Sequence, residues 1–480
     1  MNTIIVWFRQ DLRVQDNPAL RHALAEADRV IPLYIHAPEE MERWRPGAAS
    51  NWWLHQNLSA LARELERLGS GLILRRGNSL DILLEILDQT DARAVYCNRI
   101  YEPANLQRNR HIKEQLSRKS CDLVTHRGNL LREPETARTQ NGQTYRVFTP
   151  FYKFYLREGI VAAPLPRPRS MPPLANGLVS EPLDALRLLP RSHWSQGLET
   201  SWPAGEAAAR QQLDKVVKNR LEGYPVMRDL PGEQGTSRLS PYLALGVISV
   251  HTIAEKLSSL QHQGDGATAR SKGAEAMLRQ LVWRDFAHYV LFHYPHTSDE
   301  PFAPRFRNFP WKRSDRNFLH AWKTGTTGLP IVDAGMRELW HTGWMHNRVR
   351  MIAASLLTKN AGIHWLTGAK WFWDTLVDAD LAQNSMNWQW VAGCGVDAAP
   401  YFRIFNPLTQ SKKFDPSGAY IRKWIPELAS IPETHIHEPS AMTLAAQKKY
   451  GCIIGRDYPA PILDLKETRS QALQRYQEVR

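Results

Sequence analysis

The chain has 480 residues, 43% hydrophobic and 23% charged, with a formal net charge of +13. That length buries more than one core and predicts two domains, and no apolar run approaches the roughly 20 residues of a membrane-spanning helix. The basic excess suits a polyanionic partner such as nucleic acid, because lysines and arginines on one face release counterions from phosphates, although a generally solvated basic surface gives the same count.

Met1-Asn2-Thr3 leads straight into the strand-like IIVWF, with no basic segment or cleavage site. Short apolar runs at 4–9, 29–36, 71–77, 94–99 and 122–126 alternate with helical patterns, the clearest from Asn51 to Leu65. Such alternation predicts a doubly wound parallel α/β domain over residues 1–130. No GxGxxG follows the first strand, so a Rossmann-type dinucleotide site is not expected there. Glu39 and Glu40 read as solvated charge. Cys97, Cys121, Cys394 and Cys452 show neither CxxC nor metal spacing, which points to reduced core residues of a cytoplasmic protein and to no metal centre.

Residues 131–200 read as a linker. Arg132 to Arg146 is polar, Phe148-Thr149-Pro150-Phe151-Tyr152-Lys153 opens a helix, and the proline run from Pro164 to Pro173 holds neither a regular helix nor a central strand. From 201 to 480 apolar spacings of three and four recur, predicting an all-α domain. Its helices are expected at Ala207–Leu221, Val250–Leu260, Gly273–Phe292, Phe318–Lys323, Pro330–Gly343, Val349–Lys359 and Trp371–Leu381.

This second half carries the residues suited to chemistry. Gly235-Thr236-Ser237-Arg238-Leu239-Ser240 is a hydroxyl-rich loop that suits a diphosphate, although a plain helix cap accounts for the hydroxyls as well. Ten of the 17 tryptophans lie between Trp283 and Trp390, more than packing alone usually calls for. Among them stand Asp378 and Asp380, and an unpaired buried carboxylate costs several kcal/mol. The upstream stretch Trp344-Met345-His346-Asn347-Arg348-Val349-Arg350-Met351 offers cations to neutralise them while aromatic side chains surround a flat organic group.

The motifs TGWMHNRVRM, WFWDTLVDADLAQN, NWQW and DAAPYFRIFNP, with VWFRQDLR near the start, resemble the photolyase/cryptochrome family. They are most similar to its bacterial cyclobutane pyrimidine dimer photolyases, in order and over nearly the whole chain. The resemblance implies an FAD-binding helical domain, damaged DNA as partner, and a monomer. Tyr224, Thr236, Ser237, Arg238, Leu239, Ser240 and Arg284 would then hold the cofactor, with Arg350 and Asp378 as an ion pair beside the ring. Asp380 would add a polar contact to the ring and Asn384 would face its N5. Trp388, Trp365 and Trp311 match the family's electron-relaying tryptophans, with core packing as the alternative for each. Trp283, Trp390, Asn347 and Met351 match the walls of the lesion pocket, and Arg228, Arg348 and Arg403 would meet DNA phosphates. The (6-4) photolyases carry histidines where this chain has Asn347 and Met351. An antenna chromophore, folate or deazaflavin, is a further family property; Trp52, Trp53, Tyr101 and Glu102 either touch one or belong to core and surface.

One position departs from the pattern. Gln280 stands where dimer photolyases have a glutamate hydrogen-bonded to the lesion. An amide keeps a donor and an acceptor but has no proton to tune. Two readings follow: a light-driven dimer photolyase, or a cryptochrome-like blue-light receptor that keeps the flavin and has lost or weakened repair.

Overall fold

A computed structural model describes residues 2–159, 163–174, 177–190, 193–261, 268–313, 315–398 and 402–479. Ala399, Pro400 and Tyr401 of the DAAPYFRIFNP motif lie outside the described residues.

The five apolar runs become β1 (Thr3–Phe8), β2 (Arg29–His36), β3 (Ile73–Arg76), β4 (Ala94–Asn98) and β5 (Asp122–His126). They form one sheet in the order β3-β2-β1-β4-β5, every pair parallel, with Ile4 facing Val30 on one side and Ala94 on the other. The central strands are covered on both faces, which is why they read as continuous apolar runs rather than alternating ones. In such sheets ligands favour the crevice where the strand order reverses, beyond the carboxyl ends of β1 and β4. Part of that crevice is filled by the chain itself: the Asn98 amide donates to Asp11 at 2.6 Å and to Asn17 at 2.8 Å, and its carbonyl oxygen accepts from Ala19 N.

Helix α1 (Pro18–Glu26) is capped by the Asn17 side chain, and α2 (Ala48–Arg67), α3 (Ser79–Thr90) and α4 (Pro103–Ser117) complete the layers. Trp52 and Trp53 of α2 are fully buried; the Trp53 indole donates to Pro241 O and meets the Tyr242 ring edge-on at 5.4 Å, so both belong to the core between the halves. Glu40 is not the solvated charge expected: it accepts from Ser79 and pairs with Arg108 at 3.1 Å. Glu39 is partly exposed.

The connecting segment carries α5 (Phe148–Glu158), where the sequence places a helix start, before its prolines take over. In the helical half the elements that build the site are α6 (Ala269–His293), α7 (Pro330–Thr342), α8 (Asn347–Ser355), α9 (Trp365–Thr375), α10 (Leu381–Ala392) and, near the end, α11 (Leu465–Gln477). The helix expected over Val349–Lys359 ends at Ser355 and continues as a π-turn, Leu356–Asn360.

The helix expected over Trp371–Leu381 is a correction. It is two helices with a break between them: α9 stops at Thr375, Leu376 is extended, and α10 begins at Leu381. Two local bonds make the break. Val377 N–H donates to Gly343 O instead of back along α9, and the Asp380 side chain caps α10 by accepting from Gln383 N–H. The short connection presents Asp378 and Asp380 sideways, which a continuous helix would not do. Asp374 and Trp373, just before it, tie the halves together: Ala48 N–H donates to Asp374 and the Trp373 indole to Arg45 O.

Candidate active site

Helix α6 sets one wall. Gln280, Arg284 and His288 follow at intervals of four, so they share a face, and Trp283 stands beside them. The start of α8 brings Asn347, Arg348, Arg350 and Met351; the break before α10 brings Asp378 and Asp380; α10 brings Asn384, Trp388 and Trp390. All of these line one cavity of about 610 Å³ except Arg284 and His288. A narrower cavity of about 180 Å³ adjoins it, sharing Gln280, Asp378, Asp380 and Gln383, and is lined by Tyr224, Ser237, Leu239, Ser240 and Arg284. A wide chamber and a narrow, hydroxyl-bearing annex suit a folded dinucleotide with a flat ring system.

The charges inside are paired. Arg350 Nη2 lies 2.8 and 3.1 Å from the two Asp378 oxygens, and its Nε donates to Met345 O. The Asp378 side chain is almost fully buried, so the pair neutralises a charge that water does not reach. Burial alone pushes the Asp380 carboxyl up, but His288 at 3.1 Å, the Arg284 guanidinium and the Gln383 N–H outweigh it and hold it well below the ordinary carboxylate range. His288 was not among the residues expected from the sequence. The signal was its spacing, eight residues after Gln280 on the same helical face.

The rest of the loop divides. Ser240 opens a five-residue helix, and Arg238 is not aimed into either cavity: its guanidinium lies 4.4 Å from the Trp202 ring and 4.9 Å from that of Trp344. Thr236 lines neither cavity, and its carbonyl accepts from Arg220.

The wider opening has aromatic walls. Trp283 stacks on Phe148 of α5 at 3.5 Å and 8°, so the connecting segment backs this wall. Trp390 donates its indole N–H to Asp397 O and carries Arg403 over its ring at 5.7 Å. Gln280 makes a long contact with Ala276 O at 3.4 Å, which leaves its amide available to the cavity. The Asn347 amide reaches Met351 Sδ at 3.9 Å, and the Asn384 amide donates to Ala369 O at 3.0 Å. At the rim Arg348 pairs with Asp229 at 3.0 Å and Arg228 lies 4.0 Å from the same carboxylate.

Trp388 and Trp365 are buried and Trp311 is partly exposed. The Trp388 ring rests on Gly368, where any added Cβ would strike it, one turn along α9 from Trp365. Phe372 at 5.0 Å and Trp322 at 6.3 Å hold its other sides. Trp311 and Trp365 both contact the ring of His364, at 5.0 and 5.7 Å.

A separate cavity of about 150 Å³ lies between the halves, lined by Trp7, Arg9, His36, Glu102, Arg108 and Ala379 among others. Of the four antenna candidates only Glu102 lines it; the Tyr101 hydroxyl instead donates to Glu133 at 2.8 Å. Arg108 Nε and Nη2 and the Trp7 indole N–H are buried there without a hydrogen-bond partner among the described residues.

Among the described residues no helix is long and apolar enough to cross a membrane, and no cluster of His, Cys, Asp or Glu is arranged to hold a metal ion.

Comparison with known proteins agrees with this layout. Residues 4–169 match the DNA photolyase family model and 277–478 the FAD binding domain of DNA photolyase. The chain is 40% identical to the deoxyribodipyrimidine photo-lyase of Agrobacterium fabrum, over 99% of this chain and 98% of that one. It is 35% identical to cryptochrome-2 of Arabidopsis thaliana, over 99% of this chain and 79% of that one. The structure superposes on a bacterial class III photolyase from Agrobacterium tumefaciens with a TM-score of 0.94 at 40% identity, covering 100% of this chain and 98% of that one.

Proposed function

The chain belongs to the DNA photolyase/cryptochrome family, with an FAD-binding helical domain, and on that premise we propose that it is a light-driven lyase that splits cyclobutane pyrimidine dimers in DNA. The observation that carries this is the placement of Gln280, which lines both the hydroxyl-bearing annex and the chamber walled by Trp283 and Trp390.

FAD, when bound, would supply light absorption and a reversible one-electron donor, the chemistry that splits the two carbon–carbon bonds of a cyclobutane dimer with no net redox change. The residues do the rest. Damage weakens stacking and pairing, so a dimer leaves the duplex more cheaply than an intact base. Trp283 and Trp390 then offer flat faces, and Met351 a soft, polarisable one. The Gln280 amide hydrogen-bonds the pyrimidine carbonyls where charge develops. Asn347 assists it, Asn384 faces the flavin ring, and Arg228, Arg348 and Arg403 take the flanking phosphates. Product analysis of a dimer-containing oligonucleotide, illuminated with the reduced protein, tests the reading; undamaged pyrimidines should appear, and their absence would count against repair.

Trp388, Trp365 and Trp311 would form the route by which an external reductant supplies electrons to the flavin chamber under blue light. Indoles serve because they are oxidisable without carrying a charge beforehand. Trp388→Phe removes the oxidisable ring next to the flavin chamber and should slow photoreduction strongly. An unchanged rate under continuous light would mean that electrons travel elsewhere.

The interdomain cavity is the place for an antenna chromophore. Its Arg108 and Trp7 donors call for an acceptor-rich, anionic ligand, and Ala379, between the two flavin-pocket aspartates, lines it too. The protein would work as a monomer in the cytoplasm, where four free, buried cysteines are at home. Native mass and the absorption spectrum of freshly purified protein test both points. The expected result is one chain of 55.0 kDa with absorbance beyond that of FAD; a dimer, or a pure flavin spectrum, would correct one or the other.

A further inference from the structure

We propose that His364 is a positioning residue of the tryptophan relay: its imidazole packs on both Trp311 and Trp365 and forms the neutral π-contact across which an electron passes from one to the other. The inference rests on the relay reading above.

His364 is the residue that caps α9, and its ring is placed by that role. Nδ1 accepts the Leu366 N–H at 3.1 Å. The imidazole therefore carries its single proton on Nε2, and a second proton would set a donor against the donor of Leu366. Held this way, the ring lies 5.0 Å from Trp311 at 60° and 5.7 Å from Trp365 at 27°. Phe309, 4.5 Å from Trp311, supports the outer ring. The contact thus spans the step from a buried indole to one that reaches solvent.

Its charged surroundings are chiefly cationic. Burial, and Lys370 on the same helix, push the His364 pKa below its ordinary 6.5. Lys312, beside Trp311, donates its backbone N–H to Gly362 O and its ammonium to Gln471 on α11. Arg475 of α11 packs on Gly362, where an added Cβ would lie 2.9 Å from its guanidinium carbon. The Glu467 carboxylate on α11 is engaged by Gln471. A protonated imidazole among these groups would oppose the positive charge that appears on an indole when it gives up an electron.

In the step itself the electron that Trp388 would lose to light-excited FAD is replaced from Trp365 and that of Trp365 from Trp311, and a thiol-class reductant in solution refills Trp311, losing its proton to water and ending as a disulfide. His364 takes up neither electron nor proton. It lowers the barrier between its neighbours by contact and by being uncharged.

The experiment is photoreduction of the FAD-loaded full chain with excess thiol, at several pH values, in wild type, His364→Asn, His364→Phe and Trp388→Phe. Asparagine keeps the helix cap but has no ring, and should slow photoreduction several-fold. Phenylalanine keeps a ring that cannot titrate, and should retain most of the rate. Wild type should slow as pH falls below the ordinary histidine range, and His364→Phe should not. If Trp388→Phe is slow while His364→Asn runs at the wild-type rate, the role of His364 is overturned and the relay stands. Trp388→Phe at the wild-type rate would take down the relay reading and this inference together. Should His364→Asn lose its FAD, the acid profile decides alone: a decline in His364→Phe equal to that of wild type overturns the proposal.

Discussion

An Asp378→Ala variant is expected to purify folded but almost colourless. Arg350 keeps its bond to Met345 O, so the guanidinium stays in place after its carboxylate is gone. Before flavin binds, the chamber of about 610 Å³ has room for water to solvate the cation that remains. When a flat ring system fills the chamber that water must leave, and the cost of an unpaired charge falls on binding rather than on folding. Removing one partner of a buried pair typically costs roughly 3–5 kcal/mol. At about 1.4 kcal/mol per tenfold, that is roughly two to three and a half powers of ten in FAD affinity. Asp378→Asn should fall between, since the amide oxygen still accepts from Nη2 but neutralises nothing. The ratio of flavin to protein absorbance after gel filtration reads all three proteins. Retention in Asp378→Ala equal to wild type, with an intact fold by circular dichroism, would remove the pair from the flavin site.

The α/β layer was legible because its strands are buried on both faces, leaving runs such as IIVWF and RVIPLYIH that fit a central strand and little else. The helical half was legible in its periodicity and opaque in its breaks. Nothing in Asp374-Thr375-Leu376-Val377-Asp378 forbids a helix; what ends α9 is a hydrogen bond from Val377 to Gly343, more than 30 residues away in sequence. That a cation would meet a carboxylate was readable because each charge needs a partner within an otherwise aromatic and apolar stretch, while the choice of Arg350 with Asp378 rested on the family resemblance. His288 had only its spacing from Gln280 to mark it and His364 had nothing, since a histidine is as ordinary in a core or a cap as in a site. Only the packing of α6 against the α10 start, and of Trp311 against the α9 cap, shows what their rings touch. Arg238 shows the opposite ambiguity: a cation in a hydroxyl-rich loop suggests phosphate, and in the structure its guanidinium lies over two indoles.

Gln280→Glu should raise the yield of dimer repair while leaving FAD content and lesion affinity nearly unchanged. The side chain stands where both cavities meet, and its hydrogen bond to Ala276 O is long at 3.4 Å. A carboxyl of equal length fits the same space. What changes is the proton. The amide can only hydrogen-bond the pyrimidine carbonyl on which negative charge develops; a protonated carboxyl can donate more strongly, and its pKa of about 4.3 is raised by burial. Losing one preorganised donor costs about 2.7–4 kcal/mol, equivalent to a factor of about 100 or more in rate, and an amide that still donates loses less than that. The gain should therefore stay below about a hundredfold. Its pH profile carries the sign. The advantage of the variant is present below the pKa of its new carboxyl and is lost as pH rises through it, because the ionised carboxylate repels the charge it was meant to stabilise; wild type has no such step at this position. A variant that repairs better at every pH would shift the explanation from proton donation to packing. Wild type without detectable repair, rescued by this single change, would identify a light receptor derived from a repair enzyme, and failure of both proteins would mean that the chamber between Trp283 and Trp390 receives something other than a pyrimidine dimer.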